Sequence, residues 1–138
     1  MEKVFQELDK VFDEWVICGS WALWNCNMNM VPNSIEIDII VNVPEDYLDS
    51  DPRFKRHTSN KFGSKGWYAF IDTMHVDIFN KPLPDYTEGL MHGRTVKFKT
   101  KEELKKHYLS LDIDNIPGHD RFKKKMRETY DKFVRSES

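Results

Sequence analysis

The stretch Ile35-Glu36-Ile37-Asp38-Ile39-Ile40-Val41-Asn42-Val43 is β-branched almost throughout, with polar residues only at positions 36, 38 and 42. Such a run predicts a strand covered on most of both faces. Side chains alternate along a strand, so Glu36 and Asp38 leave it on one face while Ile35, Ile37, Ile39 and Val41 leave it on the other. Ile40, the next residue on the acidic face, is apolar. That face is therefore covered beyond Asp38, and the two carboxylates stand near its solvent-reachable end. Like charges this close repel by roughly 1 kcal/mol in water and several times that in a partly buried site. A cation relieves the cost, and magnesium, which prefers oxygen ligands, is the natural partner. Taken alone, the pair also fits the solvated face of an ordinary strand.

Working toward the N-terminus, Pro32-Asn33-Ser34 breaks the chain ahead of this strand. Before the break, the apolar run Trp15-Val16-Ile17-Cys18 ends at Gly19-Ser20 and leads into Trp21-Ala22-Leu23-Trp24, which reads as strand, tight turn and helix. Glycine allows a phosphate to approach the backbone closely, the helix start offers unpaired N–H groups, and Ser20 adds a hydroxyl donor. Trp21 and Trp24 suit stacking on a base, although packing against the sheet is the stronger expectation for tryptophans early in a helix. Farther back, Val4, Phe5, Leu8, Val11 and Phe12 recur at three- and four-residue intervals and predict an amphipathic helix over residues 2–13.

Toward the C-terminus, His75-Val76-Asp77-Ile78-Phe79 places a third acid inside another strand pattern, read over residues 74–79. If that strand lies beside the first, Glu36, Asp38 and Asp77 converge. Three carboxylates can hold two magnesium ions, one acidifying an attacking hydroxyl and both neutralising phosphate charge during in-line displacement. Rigid strands suit this chemistry because about 1 Å of drift costs on the order of a hundredfold in rate. Asp77 by itself reads equally as a strand-end cap. His75, on the same face, reads as a hydrogen-bonded structural histidine outside the metal shell.

The remaining chain supplies scaffold. Gly63-Ser64-Lys65-Gly66 between Phe54 to Phe62 and Trp67 to Ile71 suggests a hairpin, with Lys61 and Lys65 near its tip. Pro82 and Pro84 interrupt the pattern. Thr95 to Lys99 reads as a last short strand, and Thr100 with Glu103 as a capping box for a helix reaching about Leu111. After a turn at Pro117-Gly118, Phe122, Met126, Tyr130 and Phe133 fall about one helical turn apart and predict a C-terminal helix over about 118–134. Its other face carries Arg121, Lys123, Lys124, Lys125 and Arg127, a wet face by default and an RNA-binding one by the alternative reading. His119-Asp120 at its start either reaches toward the acids or simply serves the helix dipole.

Composition bounds the whole. At 138 residues with 39% hydrophobic content, the expectation is one compact domain spanning 1–138. The 21 Lys and Arg nearly cancel the 23 Asp and Glu, so net charge exerts no global pull toward nucleic acid or membrane. Met1 to Asp9 carry charges throughout, no apolar run approaches the roughly 20 residues that span a bilayer, and Cys18 and Cys26 read as reduced core thiols. A cytoplasmic protein is the expectation.

With these residues in view, the sequence resembles the polymerase-beta-like nucleotidyltransferases, in which a hydrophobic residue with Gly-Gly or Gly-Ser precedes an acid-x-acid strand and a third acid in a later strand. Gly19-Ser20-Trp21-Ala22-Leu23 with Ile35-Glu36-Ile37-Asp38-Ile39 looks especially like the antibiotic-adenylating branch, where Gly-Gly-Trp-Ala precedes Asp-x-Asp. The resemblance is clearest over residues 15–42 and 74–79. It implies an α/β (α+β) nucleotidyltransferase fold, a mixed sheet of about five strands flanked by helices. It also implies that Gly19 and Ser20 bind the phosphates of a nucleoside triphosphate such as ATP, that Glu36 and Asp38 bind both of two Mg2+ ions, and that Asp77 binds the catalytic ion and accepts the acceptor's proton. Glutamate stands at 36 where aspartate is more usual, and Asn33-Ser34 stands where a basic residue or histidine often precedes the pair. No large helical domain follows, so the acceptor stays open among small molecule, RNA and protein. Two other readings stay open: a nucleotide-binding module of the same fold dependent on a partner chain or a homodimer, and an RNA-binding accessory protein.

Overall fold

The computed structural model describes residues 1–28, 32, 34–57 and 66–136. Its elements are α1 (Glu2–Val11), β1 (Val16–Cys18), α2 (Gly19–Asn25), β2 (Glu36–Val41), α3 (Glu45–Asp49), β3 (Lys55–Arg56), β4 (Gly66–Ile71), β5 (Met74–Asn80), β6 (Tyr86–Met91), β7 (Arg94–Lys99), α4 (Lys101–Leu109) and α5 (Asp120–Arg135). The strands form one mixed sheet in the order β3-β4-β5-β2-β1-β7-β6. β2 runs parallel to β5 and β1 parallel to β7, while the other neighbours are antiparallel. The acid-bearing strand is thus central, as its apolar density requires.

The sheet has seven strands where the sequence suggests about five. The difference lies at the edges. β3, inside the Phe54 to Phe62 run read as a hairpin arm, is only two exposed residues, and β6, which the sequence did not suggest, exposes most of Tyr86 to Leu90 and buries only Met91. Edge strands with little side-chain burial carry no apolar alternation, and they are held by backbone pairing to β4 and β7. β6 turns into β7 through His92-Gly93, both at positive φ (52° and 75°), and β4 turns into β5 through Asp72-Thr73, also at positive φ (49° and 67°). Both are two-residue loops of the kind whose twist matches a hairpin.

α1 ends at Val11, because Phe12 is already extended (φ −122°, ψ 132°). Val4, Phe5, Leu8 and Phe12 are almost wholly buried and share one core cluster with Ile17, Ile37, Ile39, Trp67, Val76 and Ile78. Thr100 caps α4 by accepting from the Glu103 N–H at 3.1 Å, one half of the predicted capping box, while its own N–H donates to the Asp85 carbonyl at 3.2 Å rather than to Glu103. α5 begins two residues later than expected, since Gly118 at φ +125° lies outside helical space and His119 is the N-cap, its Nδ1 accepting from the Phe122 N–H at 3.1 Å. The capping role accounts for His119. Asn33, Lys61 and the proposed turn at Gly63, Ser64 and Lys65 lie outside the described residues.

Candidate active site

Alternation divides the sheet into two faces. Ile37, Ile39, Val41, Val76, Ile78, Trp67 and Ala69 belong to the core under α1. Glu36, Asp38 and Ile40 face the other way, together with His75, Asp77 and Phe79 of β5 and Tyr68 and Phe70 of β4. The parallel register pairs Asp38 with Asp77 and Glu36 with His75. The adjacency of the two strands that the sequence could state only conditionally is therefore present, with all three acids on one face. Ile40 is 1% exposed, so the acidic face does close over beyond Asp38.

Each acid is positioned by a different device. The Trp21 indole N–H donates to the Glu36 carbonyl at 3.0 Å, tying α2 to the first residue of β2. Trp21 thus packs and holds rather than lying free for stacking, with Trp24 edge-on to it at 5.7 Å. Asp38 sits against Gly19. A Cβ built on Gly19 would overlap Asp38 Oδ2 and lie 3.1 Å from its Cγ, and Gly19 has φ +66°. Only glycine fits this junction, which brings the Gly19-Ser20 turn and Asp38 together. Asp77 Oδ1 lies 2.8 Å from His57 Nε2 and 3.4 Å from His75 Nε2. An ionised carboxylate only accepts, so His57 carries its proton on Nε2 and donates it to Asp77.

Among the described residues, the group of His, Cys, Asp and Glu side chains whose ligand atoms all lie within 4.8 Å of one another is Glu36, His75 and Asp77. Asp38 stands outside that triangle, turned toward Gly19, although it is Asp77's register partner. Aromatic rings wall the histidines. Phe70 stacks on His75 at 5.1 Å, and Tyr68 lies 5.2 Å from His57 and 5.7 Å from His75.

Beyond Asp38, the same face carries cations and buried titratable groups. Ile17 pairs with Phe98, both in the core, so Lys99 turns to the acid side beside Cys18. Lys99 is only 7% exposed. Burial lowers its pKa, opposed by Cys18 and reinforced by Lys81. Burial and then the Asp38 charge raise the Cys18 thiol well above its usual range, and the same two causes in the same order raise the Tyr108 phenol. Neither group ionises near neutral pH. Cys18 and Cys26 are free thiols, as expected.

His107 on α4 completes this wall. Burial, then the Lys99 and Lys81 charges, hold its imidazole down to about 4. A histidine depressed in the folded state stays neutral there while the unfolded chain protonates near 6.5, so stability is present above about pH 6.5 and is lost as pH falls toward 4. We expect His107→Gln to remove on the order of 2 kcal/mol of this acid destabilisation. Thermal melts from pH 7 to pH 4 would then show a shallower fall in Tm than for the wild type, and parallel curves would refute the assignment.

Sequence reasoning singled out neither His57 nor Lys99. His57 falls in an unremarkable stretch whose only link to Asp77 is through the β3–β4–β5 pairing, and nothing in Lys97-Phe98-Lys99 marks the last lysine as buried. The basic face of α5 is present and exposed, with Arg127 paired to Asp114 and Lys132 donating to the Met28 carbonyl at 3.3 Å. Both contacts fit the wet-face reading. A shallow cavity lined by Phe12, Asn42, Pro44 and Tyr47 lies past the opposite end of β2 from Glu36, away from this chemistry. Among the described residues, no helix is long and apolar enough to cross a membrane.

The mixed seven-stranded sheet with its flanking helices is an α+β fold with known counterparts. Two solved structures share it along nearly their whole length. One is a Thermotoga maritima protein provisionally designated a nucleotidyltransferase, with 19% identity and a TM-score of 0.50, the match covering 98% of this chain and 94% of that one. The other is ANT(2″)-Ia in complex with adenylyl-2″-tobramycin, with 12% identity and a TM-score of 0.50, covering 99% and 96%. No protein-family model matches the sequence, and no curated protein matches it.

Proposed function

We propose that this chain is a cytoplasmic, single-domain, metal-dependent nucleotidyltransferase that moves a nucleoside monophosphate from a nucleoside triphosphate to an acceptor, releasing pyrophosphate. The observation that carries the reading is the register pair Asp38 and Asp77, with Glu36 on the same face and the side-chain-free Gly19 against Asp38. The donor set fits a divalent cation: carboxylate oxygens on two adjacent central strands, with Glu36 and Asp77 already within ligand-sharing distance. Glu36, Asp38 and Asp77 would hold magnesium, two ions in the full arrangement. Bound there, the metal would acidify the acceptor hydroxyl and neutralise charge developing on the phosphates.

The chain's own residues do the rest. Gly19 and Ser20 bind the triphosphate, glycine by letting the turn close against Asp38 and serine by offering a hydroxyl. The acceptor oxygen bonds to the α-phosphorus as the bond to the bridging oxygen of pyrophosphate breaks, and Asp77 takes the acceptor's proton. His57 fixes the rotamer of Asp77 through its 2.8 Å hydrogen bond. Lys99, a buried cation on the same face, balances the charge of the departing pyrophosphate.

Calorimetric titration with each nucleoside triphosphate, with and without magnesium, tests the reading. Magnesium-dependent binding of at least one nucleotide, lost in Asp38→Asn and Asp77→Asn, is the expected result. Binding of none would leave a partner-dependent module as the better account.

A further inference from the structure

We propose that His75 is itself a metal ligand, completing with Glu36 and Asp77 a mixed nitrogen and oxygen set that prefers manganese(II) to magnesium. The inference rests on the metal-dependent reading above and goes beyond it in naming the ligand and the ion. Sequence periodicity reads His75 as a structural histidine held by hydrogen bonds, but the geometry gives it no good one to either acid. Its Nδ1 is 3.7 Å from Glu36 Oε1 and its Nε2 is 3.4 Å from Asp77 Oδ1. Both separations exceed the roughly 2.7–3.2 Å of a sound hydrogen bond. Taken one ligand atom per residue, a His75 nitrogen, a Glu36 oxygen and an Asp77 oxygen all lie within 4.8 Å of one another around a common centre, close to the roughly 3 Å (adjacent) and 4 Å (opposed) that separate ligands about 2.1 Å from an octahedral ion.

The surroundings hold this set in place. Phe70 stacks on the His75 ring and Tyr68 meets it edge-on, which fixes the imidazole plane without consuming a nitrogen. His57 donates to Asp77 at 2.8 Å, the usual role of an outer partner that orients a ligating carboxylate. Glu36 and His75 are register partners on adjacent strands, so the two donors are spaced by the sheet rather than by a loop. An all-oxygen site favours magnesium, whereas imidazole shifts preference toward first-row transition ions.

The test is spectroscopic and needs no turnover. Manganese(II) alone is titrated into the protein, followed by loss of the free-ion paramagnetic resonance signal, with magnesium as competitor. Pulsed measurements on the bound ion then read nitrogen-14 modulation. The expected result is manganese binding at least about tenfold tighter than magnesium. Nitrogen modulation should be present in wild type and His57→Gln and absent from His75→Gln, with manganese affinity falling about tenfold or more in that last variant. Manganese bound by the wild type without nitrogen modulation overturns the proposal whether or not the variants fold, and leaves the carboxylate site standing. Modulation that survives in His75→Gln and vanishes in His57→Gln overturns it in favour of the other histidine. No saturable binding of either ion removes the metal-dependent reading as well.

Discussion

Asparagine in place of Asp38 or of Asp77 is expected to lower nucleotidyl transfer by at least about a thousandfold while leaving the melting temperature unchanged or raised. The two residues are register partners on the central parallel pair β2 and β5, so their carboxylates share one small region of one face. Each substitution keeps shape and an acceptor oxygen but removes the charge that binds a cation, and about 4 kcal/mol of lost transition-state stabilisation corresponds to three decades in rate. The stability prediction has the opposite sign, because two like charges held side by side repel and removing one relieves that cost. The same divergence separates a catalytic role from a structural one. Steady-state rates on whichever nucleotide binds, set beside thermal melts, decide it: full activity in Asp38→Asn sinks the assignment, and activity lost together with several degrees of Tm would make the acids structural. Asp77→Asn carries a second effect, since the His57 hydrogen bond would no longer be charge-assisted.

What could be read from the chain, and what could not, follows from the range of the interactions involved. The faces of β2 and β5 were legible because alternation is a local property, and so was the Thr100 cap, which spans three residues. The pairing of β2 with β5 was not, because residues 38 and 77 carry no sequence sign of being neighbours. That pairing depends on which strands bury their apolar faces against α1, a property of the whole sheet. β6 escaped notice for a related reason. Its Tyr86-Thr87-Glu88-Gly89-Leu90 run exposes nearly every side chain, so its stability comes from pairing with β7 rather than from pattern. In the site, the three acids and Gly19-Ser20 announced themselves by type and order. His57 and Lys99 did not, because one acts through a bond across twenty residues and the other owes its character to burial.

Gly19 carries the second large expected effect, and it arises from two causes that one further variant separates. Alanine there must adopt φ near +66° and place a methyl group on the position of Asp38 Oδ2. The left-handed backbone costs an ordinary residue roughly 1–2 kcal/mol. The clash matters more for function, since it is relieved only by turning the Asp38 carboxylate away, and a displacement of about 1 Å at such a centre costs on the order of a hundredfold in rate. Gly19→Ala should therefore lower Tm by several degrees, weaken metal binding, and reduce activity by about two decades or more. In the Gly19→Ala and Asp38→Ala double variant the methyl no longer meets an oxygen, so only the backbone strain remains. Its stability should exceed the sum of the two single losses by a measurable coupling energy, as contacting residues show, while its activity stays at the level of Asp38→Ala. Strict additivity of the two changes would mean that Asp38 does not occupy the space the missing glycine side chain leaves, and the link between the Gly19-Ser20 turn and the acid pair would fall with it.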